Sequence, residues 1–389
     1  VVLLALLAWN KKLSLAYNIS SLNAINLAFA VGCAAFIVSL INTRFVHYDN
    51  FSHWALVAKY MLVTDHIPSA ASAIIDFKSY PLGSASFLYY VCRIVGSGEG
   101  VMLTGQAMLL FACFYAMFGV IRDGKRFLLA AVMGLGCSLL AYFNISIRIN
   151  NLLVDFLLPA LSLAAIGAII SERKSCFRAC LAGLPVLGLL TVVKNTGIVF
   201  AALGCIVLVD RAVRFQRADT KRRPQYLLAL GTIVLSVLPL VLWNVHRSFA
   251  FPADTSKFSY DFQTLSSFTI DKTPEQIHAI VQLFLKNMTD LGQRNVYGIV
   301  VVNALLIVVY LAARFVFHKK WKLLNILLLL DLGIVLHSVG ILMMYLYAMP
   351  LDEALRLAGF ERYASSMVLF VIGALTMRLT MDLEDSFYR

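Results

Sequence analysis

Apolar residues run along this chain in long, nearly unbroken stretches separated by short polar ones. Ten stretches, at 22–43, 101–121, 127–146, 150–170, 176–193, 195–209, 226–245, 296–316, 323–348 and 363–380, approach the roughly 20 residues a helix needs to cross a bilayer. They predict an all-α polytopic membrane protein, with about ten transmembrane helices in a single domain spanning 1–389. The opening run "VVLLALLAW" is too short to cross, so the chain is expected to begin within an incomplete helix.

Three polar-spaced segments carry a different pattern. In 51–62, Phe51, Trp54, Ala55, Ala58, Met61 and Leu62 recur at three and four residues, with Ser52, His53, Lys59 and Tyr60 on other faces, which predicts an amphipathic surface helix. The segment "YPLGSASFLYYVCRIVG" (80–96) is apolar enough to tempt a crossing. Counting it as one puts "RDGKR" (122–126) and every later basic loop on the opposite side from "NKK" (10–12). Without it, those two, "ERKSCFR" (172–178), "DRAVRFQRADTKRRP" (210–224) and "HKKWK" (318–322) share one face, the cytoplasmic one by the positive-inside rule. The segment is therefore predicted to lie at the interface. That leaves two sizeable external loops, 44–100 with two interfacial helices and 247–295 with an amphipathic helix opened by Thr-Pro-Glu at 273–275.

Composition agrees. A chain that is 60% hydrophobic and 14% charged, with 26 Phe, cannot hide its apolar surface in one soluble core. The net charge of +12 sits in the loops between apolar runs, so it argues for membrane orientation and against nucleic acid. Cys33, Cys92, Cys113, Cys137, Cys176, Cys180 and Cys205 lack metal-site spacing and read as small buried hydrophobes.

The polar residues at membrane edges need a partner or a function. Asp49 follows the first full span; Asp155 falls about one and a half turns into the helix expected from Asn150, behind Arg148; Lys194 sits in a very short turn; Glu361 and Arg362 open the last span. All belong to one leaflet. Each also has a plain reading: Asp49 as a helix-end residue, Asp155 as a partner of Arg148, Lys194 reaching for headgroups, Glu361 and Arg362 as an interfacial pair. Asp331 and His337 read as bundle-facing polar contacts, and Asp382, Glu384 and Asp385 as a tail without an evident role.

The order of these features resembles the membrane-embedded glycosyltransferases of the GT-C fold class, which use polyprenyl-phosphate-linked sugars. The resemblance rests on "HYDNFSHW" (47–54) just after the first helix, the amphipathic segment that follows, "FKSYPLGSASFLYYV" (77–91), "RINNLLVDFLLPALS" (148–162), "VVKNTGIVF" (192–200) and, beyond position 210, the "ERY" of 361–363. Asn50 departs from it, standing where many members carry a second acid. Tyr80 replaces a proline, while Pro81 and Gly83 keep the turn.

The resemblance implies an inverting glycosyltransferase with Asp49 as the base. Lys194, Arg362 and Arg148 would hold the donor phosphate, and Asp155, His53, Tyr48, Trp54 and Glu361 would bind or orient substrate. The implied partners are a polyprenyl-phosphate sugar, membrane lipids and a glycan, lipid or protein acceptor, at the outer face of a bacterial cytoplasmic membrane. No cofactor is called for, and a divalent metal stays open because of Asn50. The rival readings are a transporter or flippase of lipid-linked sugars, a polysaccharide polymerase or ligase with its site in 247–295, and a structural membrane subunit.

Overall fold

The computed structural model describes residues 24–387 apart from 73, 76, 78–79, 144–149, 219–223 and 252–271. The expectation of an incomplete first helix, and Arg148, fall outside the described residues. All regular structure among the described residues is helical. In chain order the helices are α1 (Ala24–Leu40), a π-helical turn (Asn50–Trp54) leading into α2 (Ala55–Thr64), α3 (Gly83–Val95), α4 (Glu99–Met117), α5 (Phe127–Phe143), α6 (Leu157–Ser171) and α7 (Cys176–Val193). Then come α8 (Gly197–Ala218), α9 (Gln225–Ala250), α10 (Pro274–Thr289), α11 (Arg294–Leu311), α12 (Leu323–Met343), the short α13 (Leu351–Leu355) and α14 (Phe360–Phe387).

Six helical stretches are long and apolar enough to cross a membrane, and α1, α5 and α6 are shorter apolar helices. With α8, whose final third carries Asp210, Arg211 and Arg214, they account for all ten expected spans. The chain is a multi-pass integral membrane protein. Helices α9, α11 and α12 leave most of their apolar surface uncovered, as lipid-facing helices do.

Helix α6 forms the centre and is buried on every side, which suits its sequence "LLPALSLAAIGAIIS" with no charged residue and many small ones. It packs against α4, α7, α8 and α14. Close approach to α4 requires Gly167, where a Cβ would come within 2.5 Å of the Ala116 carbonyl oxygen. Helix α14 is the second hub, touching α5, α6, α11 and α12.

Helix α3, in the 80–96 segment, is 13 residues long, short of the roughly 20 a crossing needs. The Phe45 N–H, after α1, donates to Glu99 Oε2 at the start of α4 (2.9 Å), and Lys59 of α2 pairs with the same carboxylate (2.6 Å). The stretch holding α2 and α3 thus leaves and returns at one end of the bundle. At the other end the basic loops meet: Arg173 donates to the Val120 carbonyl (2.8 Å), Arg211 to the Glu172 carbonyl (2.5 Å) and Lys319 to the Ser386 carbonyl (3.3 Å).

Two expectations fail in instructive ways. Helix α6 begins at Leu157, not Asn150, with Pro159 in its first turn, where a missing N–H costs nothing. Asp155 therefore precedes the helix. The acidic tail, in turn, proves to be structural. Glu384, 1% exposed, accepts from the Arg122 and Asp123 N–H groups (2.7 and 2.8 Å), and Asp382 accepts from the Lys322 N–H (3.1 Å) and pairs with Arg378. The end of α14 clamps two basic loops.

Candidate active site

The segment between residue 150 and α6 is irregular backbone buried at the end of the bundle, where unpaired N–H and C=O groups are costly. Three buried carboxamides satisfy it. Asn50 Oδ1 accepts from the Leu152 N–H (2.9 Å), Asn151 Oδ1 from the Leu153 N–H (3.1 Å), and Gln106 Nε2 donates to the carbonyls of Asn151 (3.4 Å) and Leu153 (3.2 Å). The result is a fixed ledge presenting Asp155, 3% exposed, at the mouth of α6.

Lys194, in the turn between α7 and α8, reaches Asp155 Oδ1 at 2.8 Å. Its side chain is only 14% exposed, so it forms a buried pair rather than extending to headgroups. Arg362, in the first turn of α14, places Nη1 2.5 Å from Asp49 Oδ2. A cation at a helix N-terminus opposes the helix dipole. Asp49, with Asp155 also within electrostatic reach, offsets that penalty. Tyr363 joins the two pairs, its ring lying 5.2 Å from Lys194 Nζ and 5.7 Å from Arg362 Cζ. His47 completes the Asp49 side: its Nδ1 accepts from the Asp49 N–H (3.1 Å) and lies 3.9 Å from Oδ1.

Two hollows are of interest, the first lined by Asp49 and Arg362 and the second by no member of either pair. One, of about 530 Å³, is polar and lined by His47, Asp49, Asn287, Arg356, Glu361 and Arg362, between the first loop and α10, α13 and α14. The other, of about 590 Å³, is an apolar groove between α3, α7 and α9, lined by Leu82, Phe87, Leu189, Val192, Leu242 and Trp243. Gly83 lets α3 lie against the end of α7; a Cβ there would meet the Val192 carbonyl oxygen at 2.6 Å, two residues from Lys194.

The structure thus brings together Asp49, Asp155, Lys194, Arg362 and Glu361, from four separated places in the chain. His53, expected among the substrate-orienting residues, joins them, but by a route the helical period did not foresee. The helical period put it on a polar face and Phe51 on an apolar one, yet His53 is 6% exposed and Phe51 53%. The wider π-helical turn at 50–54 breaks the 3.6-residue register, as such turns often do at functional sites. Burial pushes the His53 imidazole down to about 4, with Lys194 adding to the shift and Asp49 opposing it. Trp54 packs into the core instead of lining a hollow, and Tyr48 is exposed beside the cluster. Gln106, Asn287, Arg356 and Tyr363 had not been singled out; only "ERY" hinted at Tyr363.

The ligands for a divalent metal do not gather here. Each aspartate already pairs with a cation, the Asn50 oxygen is engaged by backbone, and among the described residues no three His, Cys, Asp or Glu side chains converge.

No protein-family model matches the chain, and no curated protein sequence matches it. Among solved structures it is similar to the apo crystal structure of ArnT from Cupriavidus metallidurans, at 15% identity and a TM-score of 0.43, over 92% of this chain and 77% of that one.

Proposed function

We propose that the protein is an inverting glycosyltransferase that moves a sugar from a polyprenyl-phosphate-linked donor to an acceptor at the outer face of a bacterial cytoplasmic membrane. The observation that carries this reading is the pairing of Asp49 with Arg362, next to Asp155 with Lys194, together with a polar hollow and an apolar groove. One reaction needs that combination: a base for a hydroxyl, cations for a departing phosphate, and separate room for polar and apolar substrates.

In this reaction the acceptor hydroxyl oxygen attacks the anomeric carbon from the side of the polar hollow. Asp49 takes the hydroxyl proton as the new carbon–oxygen bond forms. The bond to the phosphate oxygen breaks, and its electron pair leaves with the polyprenyl phosphate. Lys194 and Arg362 stabilise that growing negative charge in a site of low dielectric, Arg362 with its forked donors and Lys194 as a point charge. Asp155 holds Lys194, and Glu361 lines the acceptor side. Basic loops gathered at the opposite end favour an outward-facing site.

Transport is less well supported. The mid-span polar groups are engaged locally, Asn303 Nδ2 donating to both Asp331 oxygens (2.9 and 3.0 Å) and His337 Nε2 to the Tyr363 carbonyl (3.1 Å). The deciding experiment is transfer of labelled sugar from a panel of polyprenyl-phosphate sugars in proteoliposomes. Transfer by the intact protein, lost in Asp49→Asn, supports the reading. Movement of lipid-linked sugar across the bilayer without transfer overturns it in favour of a flippase.

A further inference from the structure

Two polar side-chain atoms of the first loop are buried without a partner among the described residues: Asn50 Nδ2, on the side chain that holds the Leu152 N–H, and His53 Nδ1, on the imidazole that Lys194 acts on. A buried polar atom left unpaired is destabilising, so a loop that keeps two of them three residues apart invites a ligand. Neither residue is loosely placed. Asn50 is fully buried and locked by its bond to the Leu152 N–H. The His53 ring is walled edge-on by Trp54, Tyr80 and Phe77, at centroid distances of 4.8, 5.0 and 5.8 Å.

The chemistry of the free atoms identifies what fits. Because the Leu152 N–H points at Asn50 Oδ1, the free end of that amide is its NH₂, which only donates. His53 is neutral at working pH, and its Nδ1–H tautomer also donates. Lys194, whose charge His53 feels, donates as well. The carboxylates in reach already receive cations. A sugar hydroxyl wants both a donor and an acceptor; a phosphate oxygen wants donors alone.

We infer that Asn50 and His53, with Lys194, form the seat of the donor's phosphate group, supplying two neutral hydrogen-bond donors beside the cation. This rests on the glycosyltransferase reading and deepens it. Asn50 then has a role of its own, as a neutral donor to an anion. The buried imidazole contributes a donor without adding a charge that would have to be desolvated beside Lys194.

The test compares binding of a polyprenyl monophosphate with that of the matching polyprenol, using the purified full chain in nanodiscs. Intact protein is expected to prefer the phosphate. His53→Phe, which keeps the aromatic packing, and Asn50→Asp, which keeps the Oδ1 bond to Leu152 but loses the donor, should each cut that preference by about 10-fold or more. His53→Asn, which restores a donor near Nδ1, should recover part of it, and polyprenol binding should stay unchanged throughout. No phosphate preference in the intact protein sinks the donor assignment itself. A preference that both Phe and Asp variants retain sinks only this inference and leaves the two atoms to buried water. Equal losses for phosphate and polyprenol assign both residues to packing and overturn it too.

Discussion

Arg362 and Asp49, 313 positions apart in the chain, meet at 2.5 Å at one end of the bundle. The contact ties the first loop to the start of the last helix, so neither residue is an ordinary helix-end charge. If Asp49 is the base, Asp49→Asn keeps the size and a hydrogen-bond acceptor for Arg362 but cannot take a proton. Turnover should fall by about 10²–10⁴-fold while affinity for a polyprenyl phosphate changes little. Single-turnover transfer measured alongside equilibrium binding separates the two; unchanged turnover removes Asp49 from the role.

Lys194 and Asp155 make a different kind of pair, since both side chains are largely withdrawn from solvent, at 14% and 4% exposure. Removing one partner leaves an unpaired buried charge. Lys194→Met and Asp155→Asn should each destabilise the fold by about 3–5 kcal/mol, and the double substitution should cost clearly less than the sum. A double-mutant cycle by thermal unfolding in detergent checks this. If the proposed reaction holds, Lys194→Met should also lose turnover that Asp155→Asn partly keeps. Additive stabilities would show that the two groups do not interact.

His53 makes stability depend on pH. Its folded value, pushed down to about 4 by burial, lies below the ordinary 6.5, so the unfolded chain binds the extra proton first. The stabilising contribution is complete above pH 6.5 and is lost as pH falls through the window down to about 4, by ~3 kcal/mol in all. Lys194 and Asp49 are the charged groups that act on His53, the first lowering its value and the second raising it. Unfolding measured from pH 7 to 4 should show a loss that His53→Phe removes. An identical acid slope in the variant would place the sensitivity elsewhere.

The apolar helices and the Thr273 cap of α10 were legible in the sequence, because each depends on local pattern: run length and a capping box now seen between Thr273 and Gln276. The meeting of Asp49, Asp155, Lys194 and Arg362 at one end of the bundle agrees with the alternation of spans read from the sequence. Their partners were not legible. Asp155 was paired with Arg148 by nearness in sequence, whereas its ion-pair partner Lys194 comes from 39 residues away. The irregular 150–156 ledge was hidden inside an apolar run, though Pro159 marked where the helix had to start. His53 was misplaced because one π-helical turn defeats a 3.6-residue period, and a sequence carries no mark of that turn.

The opposite end of α14 offers a contrast that isolates structure from chemistry. Glu384 is buried and holds the Arg122 and Asp123 N–H groups, with Oε2 3.6 Å from Arg122 Nε. Glu384→Ala strips two part-buried N–H groups of their acceptor and should destabilise the protein by about 1–3 kcal/mol. The same helix begins with Arg362, so a rigid α14 would carry any shift from one end to the other. If the helix instead stays seated through its contacts with α5, α6 and α12, the surviving folded protein should bind polyprenyl phosphate as the intact chain does. Unfolding and binding measured on the same Glu384→Ala sample decide the matter. Lost stability with unchanged binding makes this clamp purely structural, while weakened binding in folded protein would mean that the two ends of α14 are mechanically coupled.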